Sequence, residues 1–314
     1  MIRVFPFVMF SFMGFAQSYA PEPGAAGSTA IHKDSSVIAF WADDAVVTRG
    51  PLDIQNVALG FASYGVDANA IGPADGASFV SLGDGGEVVL TFPFPISDDI
   101  GPDFCVFENG FADHYMELAF VEVSSDGINY FRFDAISEIP LDTQVSNFTT
   151  TNCAYIHNLA GKYRVGYGTP FDLSELSGET GLDIQNVTHV KLIDCIGIIN
   201  PTYASLDSQG GIINDPYPTD FPEGGFDLDG VGVINSAYLE LGHISNDWSV
   251  YPNPFNIQFS IKATGEHNYQ LVDLLGRVLK SGTFVNSMNV STENLREGNY
   301  LLLIDGMRKT IIKR

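Results

Sequence analysis

Oxygen donors crowd one stretch of the chain. Asp207-Ser208-Gln209-Gly210-Gly211 runs into Asn214-Asp215-Pro216, and Asp220, Glu223, Asp227 and Asp229 follow. Calcium takes about six to eight oxygens from carboxylates, amides and backbone carbonyls, in loops that glycine lets turn sharply. The candidate ligands are Asp207, Asp215, Asp227 and Asp229, joined by Glu108 with Asn109 beside it, and the cofactor they would hold is a structural calcium. The spacing is not that of an EF-hand loop. The other reading of the same residues is that they cap and hydrogen-bond turns.

A second set of residues could contact an organic ligand. Tyr163, Tyr167, Tyr203 and Tyr217 lie in stretches rich in Gly and Pro, with Phe171 and Phe221 nearby. Exposed rings stack on sugars because their apolar faces lose water on contact, though such rings also plug loops onto a core. Glycoside hydrolysis needs only two carboxyls at the right separation in space. Glu108, Glu117, Asp126 and Glu138 are available, but acids are so numerous that no pair stands out. Other enzyme signatures are missing: the chain has no G-x-S-x-G elbow, H-E-x-x-H helix or phosphate loop. Its histidines, His32, His114, His157, His189, His243 and His267, have no metal-ligand spacing, and no C-x-x-C pair suggests zinc.

These residues must be positioned by strands. The chain has 32 Gly and 16 Pro and no long helical periodicity, which points to the all-β class. Short runs rich in aromatic and β-branched residues, bounded by turn formers, are the strand candidates. They are 37–41, 87–92, 104–108, 115–124, 130–134, 190–196 and 230–234 in the body, and 256–262, 268–273, 278–284 and 299–304 beyond it. Residues 171–176 could form one short turn of helix, with Asp172 or Ser174 at its start. The hexapeptide Leu52-Asp53-Ile54-Gln55-Asn56-Val57 recurs as Leu182-Asp183-Ile184-Gln185-Asn186-Val187 without matching flanks. It is no repeat architecture and carries no function of its own.

Charge divides the chain. From Ser249 onward there are 8 basic and 5 acidic residues, a net of +3, against 7 and 33 before it, a net of −26. Such a change of sign marks a domain boundary near Trp248. The acidic body excludes nucleic acid and anionic membrane surfaces as partners, because phosphates would be repelled. Met1-Ile2-Arg3 followed by an apolar run to Phe15 and then Ala16 reads as a secretory signal peptide, residues 1–16. No apolar run reaches the length of a transmembrane helix. Residues 17–35 form an extended arm, 36–244 the body and 245–314 a second domain. Cys105, Cys153 and Cys195 are expected to be buried thiols, with a Cys105–Cys195 bridge as the alternative.

Two resemblances add to this reading. Trp248-Ser249-Val250-Tyr251-Pro252-Asn253-Pro254-Phe255, then 269–277 ending in Gly276-Arg277, then Gly298-Asn299-Tyr300 and a basic end, resemble the C-terminal sorting domain, type A, of the type IX (Por) secretion system. The resemblance implies a small Ig-like β-sandwich at 249–314 that engages the secretion machinery. Tyr251, Pro252, Asn253, Pro254, Gly276, Arg277, Gly298 and Tyr300 would be its signal residues. It also implies delivery to the cell surface or the medium. Val121-Glu122-Val123-Ser124-Ser125-Asp126-Gly127-Ile128-Asn129-Tyr130 resembles the central hairpin of discoidin-type, galactose-binding-like jelly rolls, and the body is similar to secreted bacterial cell-surface domains. The body is therefore expected to be a jelly-roll-like β-sandwich. Its expected role is binding of a glycan or another small nutrient, with a structural or adhesive surface protein and a glycoside hydrolase as the alternatives.

Overall fold

A computed structural model describes residues 19–236, 248–273, 277–304 and 307–314. The signal-peptide segment, Gly276 and the end of the body at 244 lie outside them. The chain divides into two compact units, residues 1–237 and 238–314. Both are built from strands, and the described residues hold no α-helix.

The first unit is a sandwich of two antiparallel sheets. One sheet runs β1 (Ile31–His32), β11 (Tyr167–Phe171), β6 (Phe104–Glu108), β13 (Asp227–Val233) and β2 (Phe40–Trp41), with β4 (Val80–Ser81) also on β13. The other runs β3 (Asp44–Thr48), β5 (Glu87–Ile96), β12 (Val187–Asp194), β7 (Ala119–Ser124) and β8 (Phe131–Arg132). Alternate residues of the second sheet, Val88 and Leu90, Val121 and Val123, Val190 and Leu192, meet Phe104, Val106, Leu228, Val231 and Val233 of the first in one core. That period of two is why the strands were legible as alternating runs. The opposite face of β7 is covered as well. Glu122 pairs with Arg132 at 2.7 Å and Lys191 at 2.6 Å. Long loops build a second cluster there around Met116, Leu118, Phe120, Ile156, Leu159 and Tyr163, beside the small pair β9 (Ile136–Ser137) and β10 (Ile156–His157).

The β7–β8 turn forms as its residues dictate. Asp126 accepts from Ile128 N and Asn129 N, both at 2.8 Å, and Gly127 takes φ +72. These donors hold the Asp126 carboxyl well below the usual carboxylate range. Phe131 returns to the core, whereas Tyr130 lies beside Lys191 at 4.4 Å. The duplicated hexapeptide makes one turn twice. Asp53 and Asp183 each accept from the backbone N–H two residues on, at 2.8 and 3.0 Å, and each carbonyl accepts from the following Asn at 2.9 Å. The short helical turn is a 3-10 segment, Leu173–Leu176, with Asp172 accepting from Ser174 N at 3.0 Å. Cys105, Cys153 and Cys195 are buried free thiols, so the alternative Cys105–Cys195 bridge does not form.

The second unit has β14 (Ser249–Tyr251), β15 (Gln258–Val272), β16 (Val278–Ser291), β17 (Gly298–Ile304) and β18 (Met307–Lys313). The two strand candidates 256–262 and 268–273 are one long strand, because no turn former interrupts them strongly enough. The register of β15 against β16 shifts between Lys262 and Glu266, so its first part pairs with β14 and its last with β17. Phe255, Phe259, Tyr269, Phe284, Tyr300 and Leu302 fill its core.

Candidate functional site

Two features of the sandwich concentrate chemistry. The first is at one end, where β6 and β7, β12 and β13 start or stop together. Leu228 of β13 pairs with Glu108 of β6, and Asp194 of β12 with Ala119 of β7. Glu108, Glu117, Asp194, Asp215 and Asp227 collect there, all buried. Glu117 lies within electrostatic reach of the other four. Burial and this mutual repulsion push Glu108, Glu117, Asp194 and Asp215 well above the usual carboxylate range, and burial pushes Asp227 to about 7. Several oxygens have backbone donors. Asp194 accepts from Gly85 N at 2.9 Å and Phe226 N at 2.7 Å, Asp215 from Leu118 N at 2.7 Å and Glu108 Oε2 from Gly110 N at 2.6 Å. Asp227 accepts from Ser81 Oγ. Glu108 Oε1, Glu117 Oε1 and Asn109 Oδ1 are buried without a hydrogen-bond partner.

Glycines make this crowding possible. A Cβ on Gly161 would lie 1.8 Å from Glu117 O, and one on Gly110 would lie 2.5 Å from Glu108 Oε2. At Gly225 the nearest atom would be Asp194 Oδ1 at 2.8 Å. The motifs Phe107-Glu108-Asn109-Gly110 and Gly224-Gly225-Phe226-Asp227 are therefore acids with the glycines that let the backbone close on them.

The second feature is an open cleft of about 460 Å³ where the N-terminal arm crosses the β1–β11 edge. Tyr19 N donates to Ala154 O at 2.9 Å, which fixes the arm, and its ring stacks on His157 with centroids 4.9 Å apart and planes 7° from parallel. Lys162 lines the cleft and donates from Nζ to Ile156 O at 2.7 Å. Burial lowers its ammonium to about 8 and also lowers His157. Asn158, in a left-handed turn at φ +49, donates to Glu175. Asp172 and Glu175 supply acceptors, and Thr169 adds a buried hydroxyl with no hydrogen-bond partner. A stacked aromatic pair thus shares the cleft lining with a cation, two acids and an amide.

The residues singled out from sequence separate on this framework. Glu108, Asp215 and Asp227 come together, with Glu117 and Asp194 as additional members. Asp207 is a turn-holding acceptor, taking Ser137 N at 3.1 Å, Gln209 N at 2.9 Å and Gly211 N at 2.7 Å. Asp229 has both oxygens engaged by Asp75 N and Gly76 N at 3.1 and 2.9 Å. Asp227 and Asp229 stand inside β13 rather than in a loop before it. Tyr163, 1 % exposed, and Tyr217, 6 % exposed, are core rings with no face to offer a ligand. Tyr163 OH instead bonds Thr29 Oγ1 at 2.9 Å behind the cleft wall. Tyr167 is engaged edge-on by His32 and faced by Arg164, and Tyr203 is exposed. Of the carboxyls considered for hydrolysis, Asp126 and Glu138 are exposed, apart from buried Glu108 and Glu117. Of the cleft residues, His157, Asn158 and Lys162 lie close together in sequence, and the arm brings Tyr19 to them from far earlier in the chain through its bond to Ala154 O and its stack on His157. At the opposite end of the sandwich, Asp98, Asp103 and Asp172 bring carboxylate oxygens within 4.8 Å of one another.

In the second unit the motif residues hold the fold. Asn253 accepts from Ile312 N at 2.8 Å and donates to Thr310 O at 3.1 Å, while Phe255 N donates to Ile312 O at 2.8 Å. Arg277 pairs with Asp273 at 2.7 Å, and Tyr300 OH donates to Arg296 O at 2.6 Å. Tyr251 is exposed, and Gly298 takes φ +147.

Residues 249–314 match the family model described as a secretion system C-terminal sorting domain. The tail is a type IX sorting domain, and it directs export to the cell surface or the medium. No helix among the described residues is long and apolar enough to cross a membrane. No curated protein matches the chain. Among solved structures, a β-glucuronidase from Ruminococcus gnavus in complex with D-glucaro-d-lactam is 14% identical over 88% of this chain and 45% of that one, with a TM-score of 0.23. Its complex with uronic isofagomine gives 13%, 88%, 44% and 0.22. A thermostable endoglucanase variant from Alicyclobacillus acidocaldarius is 19% identical over 21% of this chain and 15% of that one, with a TM-score of 0.18. The chain spans less than half the length of these proteins, and likeness this loose carries no argument about activity.

Proposed function

We propose that this chain, sent out of the cell by its type IX sorting domain after signal-peptide export, works there as a binding protein for a glycan or another small polyhydroxylated nutrient. The observation that carries this reading is the cleft at the β1–β11 edge, which the Tyr19–His157 stack lines together with Lys162, Asn158, Asp172 and Glu175. Ligand sites combine an apolar wall with a few placed polar groups. Sugars match that pattern, with C–H faces for the rings and hydroxyls for both donors and acceptors.

The test is a screen of neutral and acidic saccharides against the full chain, repeated with Tyr19→Ala and His157→Ala. The expected result is a ligand whose affinity falls at least ~10-fold in each variant, the size of losing one stacking contact. Affinity for an acidic ligand should also fall from about pH 7 to 9, as Lys162 loses its proton. Binding that both variants retain would remove the cleft as the site. Product analysis in the same screen addresses hydrolysis, since Asp172 and Glu175 are the acids that line the cleft.

One observation favours the adhesive alternative. Val57, Leu59, Phe61, Tyr64 and Val66 form an exposed apolar stretch, with Phe61 61% accessible. Such a patch suits a macromolecular partner. A silent saccharide screen, with adhesion lost on Phe61→Ser, would favour that reading.

A further inference from the structure

We propose, resting on the reading of the Tyr19–His157 cleft as a sugar site, that its ligand is a chain of sugars rather than a single unit, and that the chain runs from that cleft over Tyr155 into a second one.

The second cleft, of about 420 Å³, opens where the β9–β10 pair ends. Ile139, Pro140 and Val145 line it from the loop after β9, and Asn152 and Tyr155 from the segment that leads into β10. Glu138 N donates to Tyr155 O at 2.9 Å and ties the two walls together. Ile139 and Val145 are buried and make one wall apolar. Thr143 and Thr150 also line the cleft; both are exposed, and among the described residues no group engages their hydroxyls. The hydroxyls of Thr149 and Thr151 are instead spent on fixing the loop. Thr149 Oγ1 accepts from Ser146 N at 3.1 Å, and Thr151 Oγ1 donates to His114 O at 3.0 Å. An apolar wall beside free hydroxyls is again the pattern that suits a sugar.

One segment borders both clefts. Asn152 and Tyr155 line the second, His157 and Asn158 the first. Ile156 between them is fully buried and extended, at φ −115 and ψ 133. Residues two apart on an extended run are roughly 7 Å apart and point to the same side. Tyr155 and His157 therefore both face away from the core that holds Ile156. Tyr19 reaches toward both clefts. Its N–H is held by Ala154 O at 2.9 Å, and its hydroxyl lies within electrostatic reach of Glu138, the residue before Ile139.

Tyr155 offers what Tyr163 and Tyr217 do not. It is 37% exposed, and among the described residues no other ring packs on its own. Its backbone is pinned, with N donating to Asn152 O at 3.0 Å and O accepting from Glu138, so the ring is held in place. A glycan chain repeats an apolar C–H face flanked by hydroxyls, and successive units need successive rings and polar partners. Each cleft alone is at the small end of the ligand-site range, roughly 300–1,000 Å³, and together they suit an extended ligand.

The test titrates the full chain with linear gluco-, xylo-, manno- and galacto-oligosaccharides, each as monosaccharide, disaccharide and hexasaccharide. Calorimetry reads the tight binders and saturation-transfer NMR the weak ones. In the series that binds, the hexasaccharide is expected at least ~10-fold tighter than the monosaccharide, the size of one added stacking contact. That ratio should fall ~10-fold in Tyr155→Ala and ~5-fold in Thr150→Val, which removes one exposed hydroxyl. Tyr19→Ala should weaken both sugars together and leave the ratio as it is. A hexasaccharide no tighter than its monosaccharide, or a ratio unmoved by Tyr155→Ala and Thr150→Val, would overturn the chain and leave a single-sugar site standing. No binding of any of these sugars would remove the first cleft as a sugar site and the chain with it. Remaining monosaccharide binding reports that a variant is folded; should Tyr155→Ala lose it, Thr150→Val decides.

Discussion

Asp103 is wholly buried at the end of the sandwich away from Glu108, and accepts from Asp99 N, Leu173 N and Asn235 Nδ2 at 3.0, 2.8 and 3.0 Å. Burial nonetheless outweighs those donors and lifts its carboxyl from 3.8 to about 6. A raised acid binds its proton more tightly in the folded state than in the unfolded one. Its contribution is therefore fully present below about pH 3.8 and is lost as pH rises through about 6. Relative to Asp103→Asn, the parent should lose roughly 2–3 kcal/mol between pH 4 and 7. Urea unfolding of both proteins across that range checks it, and a difference that does not change with pH would count against it. At this scale sequence reasoning found Glu108 and Asp227 but treated Glu117 as a spare acid. The signal for Glu117 was a charged residue interrupting an apolar run, Tyr115 to Val123. Whether a carboxylate is engaged by backbone donors, as in Asp207 and Asp229, or left without one, as at Glu117 Oε1, depends on loops far away in sequence.

At the scale of elements, the motif Tyr251-Pro252-Asn253-Pro254-Phe255 works as a clip. Asn253→Ala removes two hydrogen bonds to β18, about 1–2 kcal/mol in total. A lower melting transition for the second unit, with the first unmoved, is the expected result. Strands whose burial alternates, such as the first half of β5, were legible because their period survives any tertiary context. β1 and β11 were not, since a two-residue pairing and a Pro-containing strand, Tyr167–Phe171, leave little local pattern. The duplicated hexapeptide did encode structure: identical residues build identical turns, with Asp53 beneath the glycine loop that holds Asp84 and Asp183 beside Asp98.

On the whole-molecule scale, address and activity are encoded differently. The sorting domain is contiguous, so its order of motifs could be read directly, and the switch from −26 to +3 marked where it starts. Removing residues 251–314 should strand the protein in the periplasm, and fractionation of cells expressing that form is the check. The cleft was illegible because it needs Tyr19 from the arm, His157 and Lys162 from one loop system and Glu175 from another. The clip has a further consequence for the cell. The motif that opens the sorting domain is fastened to the strand that closes it, with Phe255 O accepting from Arg314 N at 2.9 Å. A ribosome product that stops before β18 has the opening words of the address but nothing to fasten them to. Export that depends on the folded tail would then reject unfinished chains without any separate inspection.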